Sequence, residues 1–383
     1  MIRTSRNLSN SENELAVKNI EKIKENVIYV GTDKSYQTIQ SALLSIIDSS
    51  YYNRYIVLVD TGIYDISNSN IDFLPIKPYV TIKGIDKSAC VINFRSNLKD
   101  AGKNVFQQCA EFGCGYAEVC NFTLITENIK GGLHLDSDTW TGEIYFHDII
   151  INDISSEEVF DSNLDYYWYM RASVGAINLA THIGQKIVIE NIQTNGYIYS
   201  HSSTSAINDI NNENAGEFIV KNCVCDWLAV YGNGEAVRKK CLFENNKCHY
   251  IKISFSDVHN LGYMCWNVTL NKNNTDFVAM QYLPYGKTQP AQMKNLANNY
   301  YGKFPCTDPN LHKIIQNTTG SDIPLGSKVK FTDYTHRYVT ITDDVDYDAI
   351  ACETIKNNWF GVVQDGGNKE AYLKYLSTHE IIN

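Results

Sequence analysis

An all-β chain wound as a parallel β-helix is the fold class this sequence predicts, on three observations. A short strand motif marked by Asn or Asp recurs along the chain. A second strand motif lies between its copies. An amphipathic stretch sits where the first coil would need a cover. Internal repetition with a period of 20 to 50 residues is the signature of solenoids, in which each coil buries its inward side chains only against its neighbours.

The first motif reads Val119-Cys120-Asn121-Phe122, Phe146-His147-Asp148-Ile149, Ile189-Glu190-Asn191-Ile192, Val220-Lys221-Asn222-Cys223, Phe243-Glu244-Asn245-Asn246 and Cys265-Trp266-Asn267-Val268. Its marker residues are spaced by 27, 43, 31, 23 and 22 positions, one coil per interval. Stacked at the corner of each coil, their amides can hydrogen-bond up and down the ladder, which explains the residue type without a catalytic role. The second motif reads Gly131-Gly132-Leu133-His134-Leu135-Asp136, Gly175-Ala176-Ile177-Asn178-Leu179-Ala180 and Ser205-Ala206-Ile207-Asn208-Asp209-Ile210. These segments superimpose position by position and predict a further stacked face.

At the N-terminal end, Tyr36 to Ser50 is predicted to be a capping helix with Ile39, Ala42, Leu43, Ile46 and Ile47 on one stripe. Coiling is expected to start after it, with the runs Tyr55 to Val59 and Tyr79 to Gly84. Residues 9 to 26 are predicted to form an amphipathic helix with a Ser11-x-x-Glu14 capping box, docking on the first coil or on another subunit or carrier protein. The expected organisation is a helical attachment segment over 1–27, the β-helix over 28–285, a Pro- and Asn-rich linker or stem over 286–316, and a small β-sandwich-like module over 317–383.

Composition limits the function. The chain has 383 residues, and 33 basic against 43 acidic side chains give a formal charge of −10, the wrong balance for a nucleic-acid binder. No run approaches the ~18 apolar residues of a membrane span, so membrane insertion is not expected. Met1 to Asn26 is too polar for a secretory h-region, and eleven cysteines fit synthesis in a reducing compartment better than a disulfide framework. The close groups Cys109/Cys114/Cys120, Cys223/Cys225 and Cys241/Cys248 lack paired metal-ligand spacing and are expected to pack as small hydrophobes, so no metal is predicted. No phosphate-binding Gly loop, no Gly-x-Ser-x-Gly elbow and no His-Glu-x-x-His is present in the sequence, so no cofactor is predicted either.

Two places hold candidate chemistry. The long interval between Asp148 and Asn191 implies an excursion over roughly Ser155 to Ser173, carrying Asp161 and Asp165, then Tyr166-Tyr167-Trp168-Tyr169 and Arg171. Adjacent aromatic faces beside acids suit a saccharide-binding shelf; the same residues would equally suit packing on the solenoid or on a second chain. One coil earlier, strand alternation puts His134, Asp136 and Asp138 on the side away from Leu133 and Leu135. Two carboxylates and an imidazole in reach of one another could form a glycosidase acid/base pair or a lyase base, alone or with Asp161 or Asp165; the alternative is a rung of a polar ladder.

Thr38-Ile39-Gln40-Ser41-Ala42, Ile56 to Val59 running into Gly62-Ile63-Tyr64, and Val80 to Gly84 together resemble the opening of the pectin lyase-like superfamily, most closely its pectin methylesterase branch. That resemblance implies a right-handed, single-stranded parallel β-helix. The branch's active site does not carry over, because its Trp-x-Arg segment is missing here and Gln107 and Gln108 lack the Asp and Arg partners. From Asn317 onward, Asp348 to Cys352 leading into Trp359 to Gln364 is similar to small β-domains of phage virion proteins. The whole arrangement looks like a phage tail spike or tail fibre. It implies a virion location after synthesis in the host cytoplasm, or an extracellular one, with a host-surface glycan or receptor and other virion proteins as partners and a homotrimeric assembly. A polysaccharide hydrolase or lyase on the same scaffold, and a purely structural virion component, are the alternatives.

Overall fold

The computed structural model describes residues 23–108, 115–135, 142–155, 175–181, 185–202, 216–233, 239–256, 266–283, 292–294, 300–301, 312–332, 338–357 and 360–365. They form a parallel β-solenoid followed by a five-stranded antiparallel sheet. On one face of the solenoid the strand Lys24–Val30 pairs in parallel with Asn53–Val59, which pairs with Val80–Gly84. The stack continues through Ala117–Leu135, Gly142–Asp153, Gln185–Glu190, Glu217–Lys221, Lys239–Glu244, Trp266–Asn271 and Gln292–Lys294. In-register stacking turns every strand position into a column. Val57, Ile82, Val119, Phe146, Ile189, Val220, Phe243 and Leu270 make one continuous inward column, all fully buried.

The corner after this face is where the Asn pattern acts. Asn121, Asp148, Asn191, Asn222 and Asn245 all adopt left-handed backbone, with φ between 54° and 63°. Asn and Asp tolerate that region because their short polar side chains bond locally. Their amides also link coils: Asn245 Nδ2 donates to Asn222 Oδ1 at 2.6 Å and Asn191 Nδ2 to Asp148 Oδ1 at 3.3 Å. In the next coil the corner residue is Lys272, at φ 55°, and not Asn267, which lies within the strand Trp266–Asn271. Below Asn121 the corner is Gly84, where a Cβ would lie 2.1 Å from the Asn121 carbonyl oxygen. One position past the corner the column runs inward from Phe122 and Ile149 to Ile192, Cys223, Asn246 and Asn273, all buried. Its two asparagines replace apolar packing with bonds. Asn246 Nδ2 donates to Val220 O at 3.0 Å and to Asn273 Oδ1 at 2.9 Å, while Asn246 Oδ1 accepts from Cys223 N at 2.9 Å.

The third face holds the second sequence motif in part. Leu133 stacks on Ile177, His134 on Asn178 and Leu135 on Leu179, as superposition of the motifs predicts. The next described rung is Tyr197–Ser202, with Ile198 over Ile177; Ser205 to Ile210, expected to stack here, lies outside the described residues. Tyr197 and Tyr199 alternate with Ile198 as His134 does with its leucines, so an aromatic strand supplies the register without sharing the motif.

The capping helix is shorter than its apolar stripe. It spans Ile39–Ser45, with Thr38 Oγ1 accepting from Ser41 N, and buries Ile39, Ala42 and Leu43. Ile46 leaves the helix in extended backbone but stays buried, whereas Ile47 is 91% exposed. The end is fixed from outside: the buried ammonium of Lys77 donates to Leu43 O and Ile46 O, each at 2.7 Å, satisfying terminal carbonyls that a further turn would otherwise use. Coiling begins before this helix, at Lys24–Val30, where the sequence reading ended a helix. The rest of that N-terminal segment lies outside the described residues.

Within 286–316, Gln292–Lys294 and Tyr300–Tyr301 still pair with the solenoid, and His312–Gln316 belongs to the antiparallel sheet. That sheet orders His312–Gln316, Phe360–Asp365, Ala349–Ala351, Lys328–Phe331 and Val339–Ile341 around a core of Ile315, Ile323, Val329, Ala349, Ile355 and Val363. Glu353 Oε2 ties it to the solenoid through His249 Nε2 at 2.7 Å. None of the helices among the described residues is long and apolar enough to cross a membrane.

Candidate functional site

On the first face, side chains alternate with the core columns and form outward columns. One runs Thr81, Glu118, Tyr145; the next runs Lys83, Cys120, His147, Glu190. A third outward column, two residues earlier along the strands, is a charge ladder of Glu143, Lys186, Glu217 and Lys240, with Lys186 on Glu143 and Lys240 on Glu217, each at 3.0 Å. Such exposed pairs contribute little to stability. Between Thr81 and Glu190 the chemistry is different.

Glu118 sits at the centre, half-buried. Its Oε1 faces His147 Nε2 at 2.9 Å and Cys120 Sγ at 3.8 Å, and its Oε2 accepts from Tyr116 Oη at 3.0 Å and Thr81 Oγ1 at 3.1 Å. The His147 contact, outweighing burial, holds the Glu118 carboxyl below its ordinary range. His147 reaches Asp148 Oδ2 with its other nitrogen at 2.7 Å, and Tyr145 stacks on its ring at 4.0 Å between centroids. Burial alone would depress the imidazole; contacts to Cys120, Glu118 and Asp148 overcome it and raise His147 to about 10. Burial, then the neighbouring carboxylates, push Tyr116 and Tyr145 above the usual phenol range, the latter donating to Glu190. The cluster is thus an ionised carboxylate and an imidazolium held by phenols, with a thiol beside them.

Toward the N-terminal coils this cluster opens into a groove of about 330 Å³ lined by Glu25, Arg54, Tyr55, Ile56, Tyr79, Thr81, Lys83, Tyr116 and Glu118. Tyr79 has left-handed backbone, φ 60°, an uncommon state for a bulky residue. Its ring lies against Gly115, where a Cβ would come within 2.6 Å of it. Tyr79 meets Tyr51 edge-on at 6.2 Å, and the Arg54 guanidinium lies 4.9 Å over the Tyr51 ring. Flat apolar faces, two cations and several hydroxyls therefore converge on one solvent-open cleft.

Of the ten residues singled out from sequence, His134 is the one described, and it takes no part in these contacts. Asp136, Asp138, Asp161, Asp165, Tyr166, Tyr167, Trp168, Tyr169 and Arg171 lie outside the described residues. His134 alternates with buried Leu133 and Leu135 as expected, yet is itself only 7% exposed. Its Nε2 meets Lys130 Nζ at 2.8 Å and its Nδ1 lies 3.4 Å from Gln107 Oε1, the side chain one rung below. Sequence reasoning placed Cys120, His147 and Asp148 in the strand motif but left out Glu118 and the tyrosines. Aligning the repeats at their marker residue would have set Cys120 on His147 and Glu118 beside them. No family model, no curated protein and no solved structure matches this chain.

Proposed function

We propose that this chain is a virion appendage, of the tail spike or tail fibre type, which binds a host-surface glycan along the flank of its solenoid. The observation that carries this reading is the groove on the first face: Tyr55, Tyr79 and Tyr116 offer sugar-stacking faces, and Arg54 and Lys83 offer donors for hydroxyls or for an acidic sugar. The scaffold supports it, since a stacked solenoid presents a rigid, elongated cleft across successive coils. The pectin lyase-like resemblance of the opening segments fits the same architecture, and we assign the chain to that broad group as part of the reading.

The reading is recognition without cleavage. Glycoside hydrolysis needs a carboxyl kept protonated as an acid, and Glu118 is held ionised, first by His147 and then by Tyr116 and Thr81. The test is adsorption of the full chain to host cells and calorimetry with capsule or wall oligosaccharides, comparing wild type with the Arg54→Ala/Lys83→Ala double variant. At least a ~10-fold loss of affinity is expected, matching the ~1.4 kcal/mol or more of two charge-assisted contacts. Unchanged binding refutes the groove, and release of new reducing ends or unsaturated uronates refutes the restriction to binding.

A further inference from the structure

We propose that Glu118, Cys120 and His147 form a binding site for a divalent transition-metal ion of the zinc class, at the inner end of the groove. Three features carry this.

The donor atoms converge. One ligand atom from each residue lies within 4.8 Å of the others, drawn from two stacked coils. A tetrahedral zinc ion with bonds of about 2.0–2.3 Å separates its ligands by about 3.3–3.8 Å. Glu118 Oε1 is 3.8 Å from Cys120 Sγ and 2.9 Å from His147 Nε2, so these two separations need only sub-ångström changes to admit the ion, and the thiol and imidazole lie within 4.8 Å of each other.

The atoms that would not bind the metal are held from behind. His147 Nδ1 is bonded to Asp148 Oδ2 at 2.7 Å, which leaves Nε2 as the ligand atom and reproduces the carboxylate–histidine–metal arrangement. Glu118 Oε2 is held by Tyr116 and Thr81 at 3.0 and 3.1 Å, which leaves Oε1 pointing at the thiol and the imidazole. Asp148, Tyr116 and Thr81 are outer partners that orient the three ligands.

The thiol is out of place for a packing residue. Cys223, Cys225, Cys241 and Cys248 belong to the apolar core cluster, whereas Cys120 stands in an outward column between Lys83 and His147, only 1% exposed and beside a carboxylate and an imidazole. Mixed sulfur, nitrogen and oxygen donors suit a borderline-soft ion and not calcium or magnesium. Binding forms three metal–ligand bonds and releases the Cys120 thiol proton and the His147 Nε2 proton to solvent. Three protein ligands leave one position for water or a sugar hydroxyl, and the side chains of His147 and Glu118, 15% and 23% exposed, give solvent an entry path. The metal would thus act as one more contact in the glycan groove, and this last point rests on the function proposed above.

The experiment uses the full chain, stripped with a chelator and titrated with Co²⁺, then with Zn²⁺. Expected are one equivalent of cobalt, a thiolate-to-cobalt charge-transfer band in the near ultraviolet, and its displacement by zinc. Cys120→Ser should abolish the band, and Cys352→Ser, in the antiparallel module, should leave it intact. Asp148→Asn should weaken zinc binding by about 10- to 100-fold while retaining the band at saturating metal. No thiolate band in the wild-type chain, or one that survives Cys120→Ser, overturns the proposal without relying on any variant that fails to fold. Glycan affinity of the metal-free chain separates the two readings: binding there with no metal site leaves the groove standing, and a metal site with no glycan binding leaves only the metal.

Discussion

Asp153 offers the most quantitative check on how this solenoid balances burial against hydrogen bonding. It ends the strand Gly142–Asp153 and is 5% exposed; Oδ2 accepts from Thr126 Oγ1 at 3.1 Å and Oδ1 from Ser155 N at 2.8 Å. Burial outweighs these bonds and, with a smaller push from Glu127, raises the carboxyl from 3.8 to about 6. The folded state therefore holds this proton more tightly than the unfolded chain. Stability from Asp153 is greatest below pH ~4, falls as pH rises toward ~6, and stays lower by about 3 kcal/mol above that. Asp153→Asn removes the ionisation but keeps the geometry, since the amide oxygen can accept from Ser155 N–H and the NH₂ can donate to Thr126 Oγ1. A solenoid of this length need not unfold in one step, so the readout is local: amide exchange across 124–126 and 150–153, as the ratio of variant to wild type. At pH 7.5 local opening in the variant should be roughly 100-fold rarer, and at pH 4 the ratio should approach one. A ratio constant from pH 4 to pH 8, or faster exchange in the variant at pH 7.5, would refute the argument.

Two further substitutions test the ladders. Asn246→Ala leaves Cys223 N–H and Val220 C=O without this side chain's bonds and breaks the link to Asn273, so chemical denaturation should show a loss of about 2–4 kcal/mol; a loss below ~1 kcal/mol contradicts the ladder's role. Asn222→Val puts a β-branched residue at φ 55° and should cost about 2 kcal/mol, whereas Asn222→Gly should cost markedly less; equal thermal shifts would show that the backbone conformation is not what selects Asn.

Much of this architecture is legible because a solenoid writes its geometry into residue type at fixed places. Only a few side chains accept left-handed backbone, so the corner after Cys120, His147, Glu190, Lys221 and Glu244 is visible as Asn or Asp in each case. The sixth corner is not, because lysine at φ 55° carries no such signature and Asn267, inside a strand, imitates one. Seven residues are too few to separate periods of 2 and 3.6, which is why the first three residues of Lys24–Val30 read as the end of an amphipathic helix over 9–26. The capping helix is overextended for another reason: its apolar stripe continues to Ile47, but its stop is a lysine ammonium more than thirty residues away. The cluster at Glu118 was hidden because each of its parts is unremarkable within its own strand. Glu118 and His147 are 29 residues apart and meet only through the coil-to-coil register.

The same register ties the candidate site to the ladder that supports it. Asp148 occupies a left-handed corner at φ 55° and accepts from Asn191 Nδ2 through Oδ1, while Oδ2 faces His147 Nδ1. One carboxylate thus links its own coil to the next and orients the imidazole that reaches back to Glu118 in the coil before. Asn121 holds the equivalent corner directly after Cys120. The height of the thiol relative to the imidazole is therefore fixed by two consecutive corners and not by a loop. In such a scaffold a ligand set can arise from ordinary outward positions, because stacking has already placed neighbouring side chains one strand spacing apart. Selection then has to change only residue types and not backbone. That makes Asp148→Asn an informative substitution, since it keeps a residue suited to left-handed backbone and an acceptor for Asn191, and replaces the anionic acceptor behind His147 with an amide NH2 that cannot accept from Nδ1–H.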